Sequence, residues 1–496
     1  MIVFLSWFPI KNYFGKKSKN MVFNPEIEAF IKGFVKDLDE KSVAIFAGAG
    51  MSKAVGYVNW LELLSDIAEE IGLRVDKEHD LISLAQYHVN HKGSNAGLAK
   101  KILQEFSEQA EESDTHKILA RMPISTYWTT NYDSMIESSL EKALKVVDTK
   151  HAVSQLADSK PKRDAVVYKM HGDVTFPRDA ILAKEQYEGY YKTHEAFITA
   201  LSADLISKTF LFIGFSFTDP NLDYVLSRLR LALPVRDHYC FMKKETKRAS
   251  DDEELFRYRV RKQELKIADL KRYRIQTLEI DDYDAVPQIL KEIERRFRKK
   301  TVFISGSAEE YGNWSRQDAQ IFIHSLSKQI VKSNFRIVNG FGWGVGSAVI
   351  NGALEAIYEN PRKFSEEQLV IKPFPQFETG GKKLPELWEE YRQRMISLAG
   401  IAIFLFGNKV ENGVIVNAGG VRREFEIAIE HGLIPIPIAA TGYVAKQIFD
   451  DIEKDQKKYY GENKLIFEAV KELVSGALSA DEIVRKIAAI MQLLNK

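Results

Sequence analysis

A chain of 496 residues is about three times a common domain length, so two large domains or three small ones are expected. Its 70 Lys and Arg offset 69 Asp and Glu to a formal charge of +1, which excludes a general electrostatic affinity for nucleic acid or anionic membrane. The lone cysteine, Cys240, can form neither an internal disulfide nor a four-cysteine zinc site, and it points to a reducing cytosol.

In chain order, residues 2–10 (IVFLSWFPI) are apolar but too short to span a bilayer, and they lack the flanks of a signal peptide. With the basic GKKSKN stretch and Met21 that follow, they mark residues 1–23 as a tail or N-terminal extension. A first domain is expected over residues 24–297. Within it, residues 42–47 (SVAIFA), 124–128 (ISTYW), 165–168 (AVVY) and Thr209–Ile213 read as short buried strands running into polar or glycine-containing turns. Leu61, Leu64, Ile67, Ala68 and Ile71 recur at helical spacing and predict one helix over 60–73. Strands alternating with helices predict an α/β fold with a parallel sheet covered on both faces.

The basic run 295–300 (RRFRKK) closes a helix that begins near Val286, and a second domain, 298–496, opens on the strand 301–305 (TVFIS). The alternation repeats there: strand Arg336–Asn339, a glycine loop, and a helix through Tyr358. Strand Ile401–Phe406, helix 422–431, strand 434–438 and a helical stretch over 443–496 follow. The chain thus reads as two Rossmann-like α/β domains with parallel sheets, without the internal repeat of a solenoid.

Four strand ends of the first domain carry chemistry. Gly48-Ala49-Gly50-Met51-Ser52 joins a strand to a helical stretch, where glycines admit a pyrophosphate; a ligand-free tight turn has the same look. Thr129-Thr130-Asn131-Tyr132-Asp133 offers an amide for a ribose hydroxyl or a water, and a carboxylate. Tyr168-Lys169-Met170-His171-Gly172-Asp173 presents His171 as a general-base candidate. The turn 214–221 (GFSFTDPN) adds small and polar residues suited to a ribose pocket.

In this order, GAGxS, TTNYD, HG and G-x-S resemble the sirtuin family over roughly residues 28–290. The resemblance implies NAD as substrate, chemistry at Asn131 and His171, and contacts from Gly48, Ala49, Gly50, Ser52, Asp133, Ser216, Asp219 and Asn221. It also carries a departure. Deacylating sirtuins use a four-cysteine zinc ribbon that Cys240 alone cannot build, so neither a metal nor an acyl-lysine groove is expected. What remains is the half of the reaction that cleaves NAD, with water in place of the lysine amide. A deacylase and a non-catalytic nucleotide sensor are the alternatives, the latter opposed by the presence of both Asn131 and His171.

In the second domain, residues 339–347 (NGFGWGVGS) place four glycines within seven residues between a strand and a helix, which suits a phosphate-cradling loop. Ser305-Gly306-Ser307 is a second loop of that type, and Arg392, Lys409 and Arg422 are cations near element ends. This half resembles the SLOG family of nucleotide-binding domains. Its pairing with a zinc-free sirtuin-like half is similar to the effectors of Thoeris antiphage defence. The resemblance implies that a cyclic ADP-ribose isomer, made by a TIR-domain partner, binds Gly306, Ser307, Gly342, Gly344, Gly346, Arg392, Lys409 and Glu424. NAD is then destroyed to abort infection. A homotetramer or larger assembly in the cytoplasm is implied as well, with no nucleic acid or membrane partner.

Overall fold

The computed structural model describes residues 23–108, 110–232, 236–476 and 478–495, so the expected tail lies outside the described residues except for Phe23. The described chain divides into two compact units between Glu294 and Arg295.

The first unit is built on seven strands: β1 (Val43–Ala47), β2 (Thr126–Thr129), β3 (Val147–Lys150), β4 (Ala165–Lys169), β5 (Thr209–Ile213), β6 (His238–Lys243) and β7 (Ile275–Ile280). They lie in the order β3-β4-β2-β1-β5-β6-β7, every neighbouring pair parallel. Every residue of β1 and β5 is buried, as expected of central strands with helices on both faces. The edgeward strands β3 and β7 read VDTK and IQTLEI, too polar to show as apolar runs. Cys240 lies buried in β6 against the Thr277 hydroxyl of β7, and burial lifts its thiol to about 11.

The helix expected over 60–73 is two short ones, Trp60–Leu63 and Ser65–Glu69, broken at Leu64 (φ −94°, ψ 3°). Asn59 and Glu62 form a capping box on the first. The break turns Leu61 to solvent, whereas Leu63, Leu64, Ile67 and Ala68 pack inward. Helical spacing alone could not reveal it.

The second unit holds β8 (Thr301–Ser307), β9 (Arg336–Asn339), β10 (Leu369–Ile371), β11 (Ile401–Phe406), β12 (Asn408–Glu411), β13 (Val414–Asn417) and β14 (Ile434–Pro437). Five form a parallel sheet in the order β10-β9-β8-β11-β14, and β12 and β13 form an antiparallel hairpin. The hairpin turns on Asn412 (φ 52°) and Gly413 (φ 77°), the left-handed pair that a two-residue turn requires. Among the described residues, no helix is long and apolar enough to cross a membrane.

Each sheet buries a histidine that burial depresses to about 4, His238 in the first unit and His431 beside the second. In the first, the ring accepts the Phe210 amide at 3.2 Å, which requires the neutral form. An unfolded histidine protonates near 6.5, so the stability these rings contribute is present above that pH and lost as pH falls toward 4. Urea unfolding followed across this window should show stability falling by about 1.4 kcal/mol per pH unit for each histidine. A flat profile in either unit's transition would rule out that unit's histidine.

Candidate active site

At their C-terminal ends β1 and β5 meet backbone on backbone. A Cβ on Gly48 would lie 2.5 Å from the Gly214 carbonyl oxygen, and one on Gly50 would lie 2.8 Å from Gly214 Cα. Gly214, at φ +65°, has no room for a side chain against Gly50 and Met51. The Gly48 and Gly50 amides donate to Ile213 and Gly214 carbonyls at 2.9 and 2.8 Å. Strand order departs from β1 in both directions here, toward β2 and toward β5, which is where doubly wound sheets open a ligand crevice. The helix after Gly48 spans only Ala49–Lys53, so its dipole contributes little to the crevice.

Into this crevice β2 delivers Asn131. The Asn131 amide N–H donates to Thr129 Oγ1 at 3.0 Å, and that hydroxyl donates to Ala47 O at 3.0 Å. Its side-chain Nδ2 donates to Gly48 O at 3.0 Å and to Ser52 Oγ at 2.8 Å. Ser52 in turn donates to Asp133 Oδ2 at 2.6 Å, and Asp133 Oδ1 accepts the Met135 amide at 3.0 Å. Asn131, Gly48, Ser52 and Asp133 therefore form one network. Both Nδ2 hydrogens are committed, which fixes the carboxamide and leaves Oδ1 as its acceptor for a ligand.

His171 stands on the neighbouring strand. Thr129 of β2 pairs with Lys169 of β4, so Asn131 and His171 each lie two residues beyond paired positions. The imidazole is 1% exposed. Its Nε2 sits 3.2 Å from Asp219 Oδ2, off the ring N–H axis, and its Nδ1 sits 3.5 Å from the Tyr187 hydroxyl. Burial pushes the Asp219 carboxyl up, but the facing imidazole outweighs it and holds the group below the usual carboxylate range. Asp219 Oδ1 also accepts the Leu222 amide at 2.9 Å, in the first turn of the helix Pro220–Ala232.

The remaining expected contacts divide. Asp219 faces the imidazole, an orientation no sequence pattern announced. Asn221 is buried with its Nδ2 lacking a hydrogen-bond partner, which suits a site awaiting a polar ligand group. Ser216 lies on an exposed turn, its hydroxyl bonded to Thr218 at 2.7 Å, and Ala49 is half-buried. Sequence reasoning missed Tyr187 and gave no role to Lys169, although YKMHGD contains it. Among the described residues, no group of His, Cys, Asp or Glu is placed to hold a metal ion.

In the second unit the glycine loop is pinned by the chain itself. A Cβ on Gly342 would strike Gly306 O, and one on Gly344 (φ +69°) would strike Ala308 O. The Ala308 amide donates to Trp343 O at 2.8 Å, and Asn339 Nδ2 donates to Ile304 O at 2.9 Å. A Cβ on Gly346 would crowd Phe341. Close backbone packing thus accounts for these glycines without a ligand. Beside the loop, Ser305 Oγ donates to Glu424 Oε2 at 2.6 Å, and Arg392 Nε lies 3.6 Å from Glu424 Oε1. The Arg392 guanidinium also covers the Phe374 ring at 5.0 Å. Burial drives the Glu424 carboxyl above its usual range against the pull of Ser305 and Arg392. Glu426 is on the outer face with Arg422 and Arg423, which separates it from Glu424. Ser307 Oγ donates to Asn408 O at 3.0 Å, Lys409 extends from the hairpin toward Glu411 at 3.1 Å, and Arg422 pairs with Asp451 at 2.6 Å.

Comparison with known proteins gives two domain matches, a SIR2-like domain over residues 125–267 and the Sir2- and TIR-associating SLOG family over residues 285–494. "NAD(+) hydrolase ThsA" of Bacillus cereus (strain MSX-D12) is 50% identical over 479 residues, 96% of this chain and 100% of that protein. The protein of that name from Cytobacillus dafuensis is 44% identical, covering 94% of this chain and 96% of its own. The one from Acinetobacter baumannii (strain 532279) is 43% identical, covering 95% and 100%.

Ser52 is the hinge of the Asn131 network. Ser52→Ala strands one Asn131 Nδ2 hydrogen and the buried Asp133 Oδ2, and should lower the stability of the first unit by about 1–3 kcal/mol. An unchanged urea midpoint would mean that these groups find other partners.

Proposed function

The chain belongs to the ThsA family of NAD(+) hydrolases, and we propose that it breaks the nicotinamide–ribose bond of NAD at the crevice of the first unit, releasing nicotinamide and ADP-ribose. The observation that carries this reading is the pairing of β2 with β4, which sets Asn131 and His171 at equal steps beyond Thr129 and Lys169. Asn131 Oδ1 orients a ribose hydroxyl or the attacking water. As the C1′–N bond breaks, nicotinamide takes the bonding pair and the ribose becomes cationic. Water adds to C1′, and its proton passes to His171 or to solvent. Asp219 stabilises the imidazolium so formed. The anions around the crevice, Asp133 and Asp219, favour the cationic ribose.

The second unit is a sensor in this proposal. A cyclic ADP-ribose isomer supplied by a TIR-domain partner binds beside the glycine loop, with Arg392, Lys409 and Glu424 among its contacts, and NAD destruction follows as antiphage defence. Support comes from the match to a SLOG family described as Sir2- and TIR-associating. Among the described residues, no Asn/His pair like that of the first unit stands at the corresponding strand ends, so binding without chemistry is the economical role there. A homotetramer or larger assembly in the cytoplasm completes the proposal.

Asn131→Ala and His171→Ala should each lower nicotinamide release by about a hundredfold or more while the protein stays folded. Near-normal turnover by folded His171→Ala would remove it from the mechanism.

For the sensor, a ligand activates only by preferring the active arrangement. An arginine–phosphate contact is worth about 1.5–3 kcal/mol, so Arg392→Ala should raise the activating concentration roughly ten- to a hundredfold and change the maximal rate much less. Activation curves with cyclic ADP-ribose isomers test this. An unshifted midpoint would dismiss Arg392, and destruction of the isomer by Asn131→Ala protein would dismiss the sensor role.

A further inference from the structure

We propose that Lys169 is a positioning residue for NAD cleavage, its ammonium tying the strand end that carries Asn131 to the one that carries His171. This rests on the reading of those two residues given above. Lys169 closes β4, and its side chain is 0% exposed. Its Nζ donates to Tyr132 O at 3.0 Å and to Asp133 O at 2.5 Å, the two carbonyls that follow Asn131. It also lies 2.5 Å from Asp173 Oδ2, two residues past His171, and 3.3 Å from Glu137 Oε1. The three ammonium hydrogens thus meet three close acceptors, on both sides of the crevice.

A buried ammonium is costly, and an apolar side chain of the same size would often hold two packed strand ends as well or better. An apolar side chain cannot grip two peptide carbonyls and so fix the direction of the chain beyond Asn131. The ladder between β2 and β4 ends at Thr129 and Lys169, with Met170 N–H on Thr129 O at 2.9 Å. Beyond it, the Val174 amide on Tyr132 O at 3.0 Å and the lysine cross-link the two loops. The acids around Nζ are not equivalent. Asp133 keeps Ser52 and Met135, and Asp173 keeps Thr175 at 2.6 Å. Asp173 Oδ2 loses the ammonium but its Oδ1 stays bonded, whereas Glu137 has no hydrogen bond at either carboxylate oxygen and is left with no partner at all when Lys169 is lost.

That difference separates positioning from simple stability. In the full-length chain, Lys169→Met should lose both stability and kcat. Adding Glu137→Gln removes the stranded charge without restoring the grip on the two carbonyls. Lys169→Met/Glu137→Gln should therefore regain part of the lost stability, with kcat for nicotinamide release still down about tenfold or more and KM within about threefold. A double variant with wild-type kcat would overturn the proposal. So would one that fails to regain stability, since Lys169 would then be a folding element. Asn131→Ala and His171→Ala measured in parallel separate the two readings. If either retains wild-type turnover the site itself is misassigned, whereas inactivity of both beside a fully active double variant removes Lys169 alone.

Discussion

No side chain fits where β1 meets β5. The Gly48 and Gly50 turn rests on Gly214 with its amides bonded across the gap, and everything polar in the first unit's crevice is referenced to that contact. Gly48 O receives the Asn131 side chain, and Ser52, one turn on, links it to Asp133. A methyl group at the contact would therefore move the acceptor that fixes the carboxamide as well as spread two strands. The second unit repeats the device with Gly342 and Gly344 against the Gly306 and Ala308 carbonyls at the end of β8. In both units the glycines bring neighbouring strand ends together first, and any approach to a ligand comes afterwards.

What lies around those two contacts differs in kind. The first unit gathers groups that can orient a nucleophile and move a proton: an amide with one free acceptor, and an imidazole facing a carboxylate. The second gathers groups that hold charge: a guanidinium over an aromatic ring, a buried carboxylate and a hydroxyl. Each unit sets a largely enclosed acid beside a nitrogen base, Asp219 with the His171 imidazole and Glu424 with the Arg392 guanidinium. One architecture thereby gathers two chemically distinct sets of side chains.

Much of this was legible in the sequence, for identifiable reasons. Central strands such as TFLFI are buried on both faces and announce themselves as apolar runs, whereas VDTK at the sheet edge does not. The strand-end motifs carried Asn131, His171, Ser52 and Asp133 because glycine and polar residues interrupt those runs abruptly. The hairpin after β11 also has a signal, Asn412-Gly413 between the alternating Lys409-Val410-Glu411 and the apolar Val414-Ile415-Val416. The break at Leu64 was not legible, since its residues keep helical spacing. Nor was the Asp219–His171 contact, because it joins positions 48 apart in the chain through tertiary packing alone (219 − 171). Lys169 was hidden for another reason: a lysine in a sequence reads as surface, and only its partners reveal it as interior.

The placement of Cys240 has a practical side. The chain's one thiol is enclosed between β6 and β7, and burial keeps it protonated far above neutral pH, so little thiolate is exposed to alkylating reagents or peroxide. The native protein is thus nearly silent toward maleimide chemistry. A single cysteine introduced on an exposed loop, such as at Ser159, would take a fluorophore or spin label against a clean background without removal of the natural residue.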